Sequence, residues 1–310
     1  MKIIFAGSSA YAIPALEELH ASSEHEVVLV LSQPPRPKGR KRRKADTALA
    51  LWAKQHSLQL FSPEDVNSPE SVKCILSYDA DVLVTASYGL FIGKSLRQGF
   101  PLGAINLHPS LLPRYRGPTP IQTAILQGDT ITGNSIFKLV AKMDAGPILS
   151  QKQLEIWDGE NFSSLHDRLA KQAAELLLDL LPNLAQTPEI PQHHDAATYS
   201  KLITKEELIL DFSQTRTSLL NKIRAFSWEP GAYTLWRGSK LKILAAKSLP
   251  ESSDFAPGSI SKIIKNEGFA IAGSDGQILV QKVQAAGKKI MSAWAYHLGA
   301  KLELGEKLGK

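Results

Sequence analysis

The sequence has a single cysteine, Cys74, among 310 residues, so no disulfide can form within the chain. Cys74 lies in an apolar helical run and is expected to be buried and inert, as free cysteines usually are. No stretch approaches the roughly 18 to 20 apolar residues of a membrane-spanning helix. The start MKIIFAGSS turns polar too early for a secretory signal. These absences predict a cytoplasmic protein with no membrane partner. Two nucleotide-binding signatures are missing as well. AGSSAYAIP, after the first apolar run, lacks G-x-G-x-x-G spacing, and no G-x-x-x-x-G-K-[ST] occurs anywhere. Nicotinamide and NTPase chemistry thereby lose their main support. No Cys or carboxylate cluster joins the adjacent His193 and His194, and neighbouring residues rarely face one ion, so no metal is expected.

The charge is mildly basic in total and uneven in placement. The net charge is +6, and from Lys205 onward there are 16 Lys+Arg against 10 Asp+Glu, leaving 20 of each in the first 204 residues. Within that neutral part, PRPKGRKRRK (35–44) holds seven basic residues and no acid. A basic loop and a basic C-terminal part suit an anionic polymer. A solvated surface or a disordered tract is the competing reading of the loop.

The length suits two domains. KIIFAG, EVVLVLS, DVLVTAS, GAINLH and NSIFKLV read as buried strands, separated by segments of helical spacing such as AIPALEELHAS and SPESVKCILSYD. Alternation of this kind predicts an α/β fold with a Rossmann-like, mostly parallel sheet, whose ligands bind beyond the carboxyl ends of the strands. The first domain is assigned to residues 1–188, with the basic stretch 34–44 as an insertion loop, and a polar, proline-bearing linker spans 189–205. Residues 206–310 carry alternating strands with turn signals at WRGSK and GSDGQ, which predict a smaller OB-like β-barrel.

Asn106 and His108 stand two apart on a predicted strand, so their side chains share a face. The proline-rich PSLLPRYRGPTP follows, and KMDAGPI places Asp144 in a turn after the next strand. A carboxylate there could hold the imidazole and raise its pKa. No nucleophile stands beside these groups. An amide, an imidazole and a carboxylate without one suit direct transfer, with the amide donating to an oxyanion and the imidazole managing protons. A lone His at a strand end is more often structural and a lone Asp more often a turn residue, so the pattern by itself stops at a site of open class.

The run NLHPSLLPRYRGPTPIQTAILQGDTITGNSIFKLVAKMDAGPIL resembles the signature of the 10-formyltetrahydrofolate-dependent formyltransferases. KIIFAGSSAYAIPALEEL, ASYGLFIG, IRAFSWEPGAY and QAAGKKIMSAWAYHLG are similar to the branch of that family whose acceptor is charged initiator tRNA. The resemblance implies transfer of the formyl group of 10-formyltetrahydrofolate to the α-amine of initiator methionyl-tRNA. The amine would attack directly, through a tetrahedral intermediate, in translation initiation. It implies a monomer, no metal, and Asn106, His108 and Asp144 as the catalytic groups. It assigns folate contacts to Tyr88, Gly89, Leu90, Ser110, Leu111, Leu112 and Pro113. It assigns tRNA contacts to Arg36, Lys38, Arg40, Lys41, Arg42, Arg43 and Lys44 in the loop, and to Lys288 and Lys289. Departures from the family pattern are Pro35, where aspartate is usual, the segment KADTALALW, which lacks the usual proline-serine-proline continuation, and Pro109, where glycine is common. The alternatives are a folate-dependent formyltransferase of small amines (a purine precursor or an amino sugar), a folate-dependent hydrolase, and a non-enzymatic RNA-binding protein.

Overall fold

The structure, a computed structural model, describes residues 1–38, 43–227, 229–249 and 251–309. Its contacts divide the chain into two compact units, one of residues 1–120, 131–155 and 166–200, the other of residues 121–130, 156–165 and 201–310.

In the first unit the apolar runs become a central sheet. Strand β1 (Lys2–Gly7) is buried at every position after Lys2. Helix α1 (Ile13–Ala21) starts with a proline in its first turn and buries Ala15, Leu16 and Leu19. Then come β2 (Glu26–Leu31), a short antiparallel pair β3 (Arg36–Lys38) and β4 (Arg43–Ala45), α2 (Ala48–Gln55), β5 (Leu60–Phe61) and α3 (Pro69–Leu76). After these follow β6 (Val82–Ala86), α4 (Lys94–Arg97), β7 (Ala104–His108), α5 (Pro120–Gln127), which beyond Pro120 belongs to the second unit, β8 (Ile131–Lys138), β9 (Ile148–Glu155) and α6 (Phe162–Leu180), which belongs to the first unit from His166 on. The sheet order is β5-β2-β1-β6-β7-β8-β9. The pairs from β5 to β7 are parallel, and β7–β8 and β8–β9 are antiparallel.

Strand β9 has no counterpart in the sequence reading. It lies at the sheet edge with Gln151 to Gln153 open to solvent, so its polar residues hide the apolar alternation. The basic stretch is more ordered than a loop at its two ends, where β3 and β4 pair, while residues 39–42 fall outside the described residues. Cys74 is exposed on α3 rather than buried, because that helix turns Ser71 and Ile75 inward instead. Residues 189–200, assigned to a linker, run along the first unit: Ile190 exchanges two backbone hydrogen bonds with Ile148, and the main chain of Arg116 bonds Thr198 and Ser200.

The second unit holds α7 (Arg216–Ala225), β10 (Tyr233–Trp236), β11 (Ser239–Leu249), β12 (Ile260–Ile264), β13 (Gly268–Ala272), β14 (Gln277–Ala285), β15 (Met291–Ser292) and α8 (Ala293–Ala300). Its strands form an antiparallel sheet ordered β10-β11-β14-β13-β12, with β15 on β14. Trp236 pairs with Ser239, so Arg237 and Gly238 make a two-residue hairpin, both at positive φ (47° and 71°). That is the primed turn which matches strand twist. The α/β unit with a mostly parallel sheet, followed by a β-built unit, is the fold class expected from the sequence. Among the described residues no helix is long and apolar enough to cross a membrane.

Candidate active site

The site begins at the end of β7. Asn106 lies beside Thr85 of β6 in the parallel register, and the Thr85 hydroxyl donates to Asn106 Oδ1 at 2.6 Å. The carbonyl end of the amide is thereby occupied, and Nδ2 is the end left for a ligand. Two residues on, His108 is 4% exposed. Its Nε2 lies 3.0 Å from the carbonyl oxygen of Tyr115. A carbonyl can only accept, so the ring proton sits on Nε2 and the lone pair on Nδ1. Tyr115 holds that carbonyl in place at φ 55°, a conformation non-glycine residues seldom adopt.

Asp144 sits in the turn between β8 and β9 at φ 48°. Its Oδ2 accepts from the Gly117 amide at 2.7 Å and lies 3.8 Å from His108 Nδ1. That gap is too long for a hydrogen bond. The ring is therefore oriented by the Tyr115 carbonyl, not by the carboxylate as the sequence suggested. The turn closes tightly at Gly146, where an added Cβ would lie 1.7 Å from the Lys138 carbonyl oxygen, so only glycine fits. Burial pushes the His108 pKa down, and the Asp144 charge and the Tyr115 hydrogen bond raise it only in part. The net direction is downward, against the rise expected from the sequence, because desolvation of a buried imidazolium outweighs a carboxylate 3.8 Å away. A neutral imidazole lone pair and a carboxylate thus face each other across a gap, two acceptors suited to a proton carried by a third group.

The segments assigned to folate divide into open and inward-turned residues. Gly89 is exposed at φ 78°, and Leu90, Leu111 and Pro113 are partly exposed. Tyr88 is instead 3% exposed and packs in the apolar core with Ile4, Leu31 and Phe100. Ser110 and Leu112 are buried as well. The Ser135 hydroxyl donates to the Ser110 carbonyl and accepts from the Leu112 amide, and Gln151 Nε2 donates to the Leu112 carbonyl. Those backbone groups shape the loop and are spent on the protein itself. Thr85, Ser135 and Gln151 were missed in the sequence. The one available signal was a polar residue inside an apolar strand, as in DVLVTAS.

The Tyr88 hydroxyl has no hydrogen-bond partner among the described residues, and burial pushes its pKa up to about 12. Tyr88→Phe removes a stranded polar group and is expected to stabilise the protein by about 1 kcal/mol. Urea unfolding curves of the two proteins measure it.

Of the residues assigned to tRNA, Arg43, Lys44, Lys288 and Lys289 are exposed. Arg36 is exposed but pairs with Glu64 at 2.9 Å, an acid the sequence reading did not place beside it. Arg40, Lys41 and Arg42, and the side chain of Lys38, lie outside the described residues. His194 accepts from Arg116 Nη2 at 3.0 Å. Among the described residues no three His, Cys, Asp or Glu side chains gather as a metal cage.

The end of β7 carries the Asn106 amide and the His108 imidazole, with the Asp144 carboxylate 3.8 Å from the ring. Residues 1–181 match the formyl transferase family, and residues 202–301 match the formyl transferase C-terminal domain. The chain belongs to the formyl transferase family. Two full-length relatives are methionyl-tRNA formyltransferases. The one from Bacillus pumilus is 38% identical over 310 residues, covering 99% of this chain and 98% of the relative. The one from Roseiflexus castenholzii is 39% identical over 313 residues, covering 100% and 99%. Among solved structures, HypX from Aquifex aeolicus in complex with tetrahydrofolic acid shares the fold at TM-score 0.64 and 16% identity. The match covers 96% of this chain and 47% of HypX, so the chain spans about half of that protein.

Proposed function

We propose that this chain formylates the α-amine of initiator methionyl-tRNA, with 10-formyltetrahydrofolate as the donor. The observation that carries the chemistry is the His108 Nδ1 lone pair set 3.8 Å from the Asp144 carboxylate. The acceptor is drawn from the full-length relatives named methionyl-tRNA formyltransferase. An α-amine has a pKa near 8, so much of it arrives protonated and must lose a proton to attack. That proton is lost to solvent before the attack, which leaves the His108 Nδ1 lone pair free for the next one. The neutral amine then attacks the formyl carbon. Asn106 Nδ2 donates to the formyl oxygen as it gains charge in the tetrahedral intermediate. The nitrogen that has attacked carries a surplus proton, which passes to His108 Nδ1. His108 returns a proton to the leaving nitrogen, and the carbon–nitrogen bond to the donor breaks. Asp144 stabilises the imidazolium while it lasts.

Leu111 and Pro113 on one side and Gly89 and Leu90 on the other would hold the folate, with no metal. The absent Cβ of Gly89 makes room for the Gln33 side chain, whose Nε2 donates to the Tyr88 carbonyl at 2.8 Å. The protein acts as a monomer in the cytoplasm. Transfer of labelled formyl to charged initiator tRNA tests the whole reading. Charged elongator tRNA and small amines serve as the other acceptors, and formate release without any acceptor would instead indicate a hydrolase.

The basic hairpin and the C-terminal lysines would contact RNA phosphates, which position the substrate without reading its sequence. Replacing Arg43 and Lys44 with alanine is expected to raise KM for tRNA and leave KM for the folate unchanged. The slope of log KM against log salt should fall by about one for each phosphate no longer neutralised. Equal changes in both Michaelis constants would remove these residues from the RNA interface.

A further inference from the structure

Arg116 is fully buried, and no carboxylate pairs with it among the described residues. Its Nε and Nη2 both donate to Gln192 Oε1, at 3.1 and 2.6 Å, and its Nη1 has no partner. Gln192 is 6% exposed. Its Nε2 donates to the carbonyl oxygens of Asp144 at 2.9 Å and Gly146 at 2.7 Å. Every hydrogen-bonding position of this amide is therefore used: the oxygen accepts twice and the nitrogen donates twice. A guanidinium on the oxygen also polarises the amide and strengthens its N–H donors.

We propose that Gln192, gripped by the buried guanidinium of Arg116, is a positioning residue that holds the 144–146 turn and so sets the Asp144–His108 gap. The inference rests on the reading that Asp144 and His108 move the proton. Two sets of hydrogen bonds converge on the turn. The Arg116 side chain reaches its carbonyls through Gln192, and the neighbouring Gly117 amide donates to the Asp144 carboxylate at 2.7 Å. The carbonyls of 144 and 146 both point at one donor group, which fixes a backbone that Asp144, at φ 48°, would otherwise leave. The arginine takes an amide rather than an acid as its main partner. An acid at position 192 would satisfy Arg116 and offer nothing to the two carbonyls.

Substitutions in the full-length enzyme separate positioning from mere folding. Gln192→Met removes both halves of the clamp. Its kcat is expected to fall about 10²-fold, the scale of an ångström-sized misplacement, with KM for both substrates little changed. The acid limb of its kcat profile should move to lower pH, because Asp144 recedes from His108 and its charge no longer raises that pKa. Gln192→Glu gives Arg116 a carboxylate and should melt above Gln192→Met, yet turn over as slowly. Parent-like turnover and pH profile in Gln192→Met, or recovery of turnover together with melting temperature in Gln192→Glu, would overturn the proposal. Asp144→Ala separates the two layers. If it abolishes turnover while Gln192→Met does not, this inference alone fails; if Asp144→Ala keeps parent turnover, the reading beneath it fails too.

Discussion

His108→Ala is expected to lower kcat by about 10²–10⁴-fold, the usual scale of general acid–base catalysis, while folate binding stays measurable. The side chain is buried and its Nε2 is 3.0 Å from the Tyr115 carbonyl, so alanine also leaves a small cavity and an unmet acceptor. His108→Gln is the fold-preserving companion, since its amide can still donate to that carbonyl but cannot take up a proton. Both should fail in single-turnover formylation and both should bind the folate in an equilibrium titration. The pH dependence has a definite sign. Burial holds the imidazole pKa below its ordinary value, roughly 6.5, so the ring is neutral and ready at neutral pH. Activity should fall on the acid side, below that ordinary value. Asp144→Asn removes a charge that raises the pKa, and the His108 titration seen by NMR should then move lower still. Stability follows the same linkage. With the folded pKa depressed, the neutral ring's contribution is fully present above the ordinary value. It is lost as pH falls from there toward the folded pKa. Near-parent turnover in His108→Gln would take the imidazole out of the proton path.

What could be read from the sequence and what could not divide along physical lines. The strand carrying Asn106 and His108 was legible because apolar runs and a period of two are local properties. Asp144 was legible from its turn with Gly146, whose missing Cβ makes room for the Lys138 carbonyl. The groups that orient these side chains were not legible. The Tyr115 carbonyl and the Gly117 amide are backbone atoms, which every residue type carries alike. Thr85 and Gln192 reach their partners from 21 and 48 residues away, distances over which no short pattern extends. Within the segments assigned to folate, sequence position does not say that Tyr88 and Leu112 point into apolar cores. Residues 189–200 read as linker because they are polar and hold prolines. They lie on the first unit because their backbone, with Gln192, completes bonding there. Cys74 shows the converse error, since an apolar run fixes a helix but not which of its faces turns inward.

Asn106→Ala is expected to lower kcat by about 10²–10³-fold, equivalent to roughly 3–4 kcal/mol of oxyanion stabilisation, with little change in KM for tRNA. The amide is oriented before any substrate arrives, because the Thr85 hydroxyl occupies Oδ1 at 2.6 Å and leaves Nδ2 to donate. Such preorganisation adds no reorganisation cost at the moment of reaction. Asn106→Asp keeps the shape and the Thr85 hydrogen bond but replaces the donor with a charge that repels a developing oxyanion. It should be at least as slow as the alanine variant. Thr85→Val keeps the branched shape and frees the amide to turn. Losing one such hydrogen bond is worth about 1 kcal/mol, so a loss of about fivefold to tenfold in kcat is expected, well short of Asn106→Ala. Steady-state kinetics on initiator methionyl-tRNA, with both substrates varied, read all three. An interaction made only in the transition state lowers kcat and kcat/KM together, whereas uniform binding raises KM and spares kcat. If Asn106→Ala raises KM and leaves kcat intact, the carboxamide holds the substrate and does not stabilise charge.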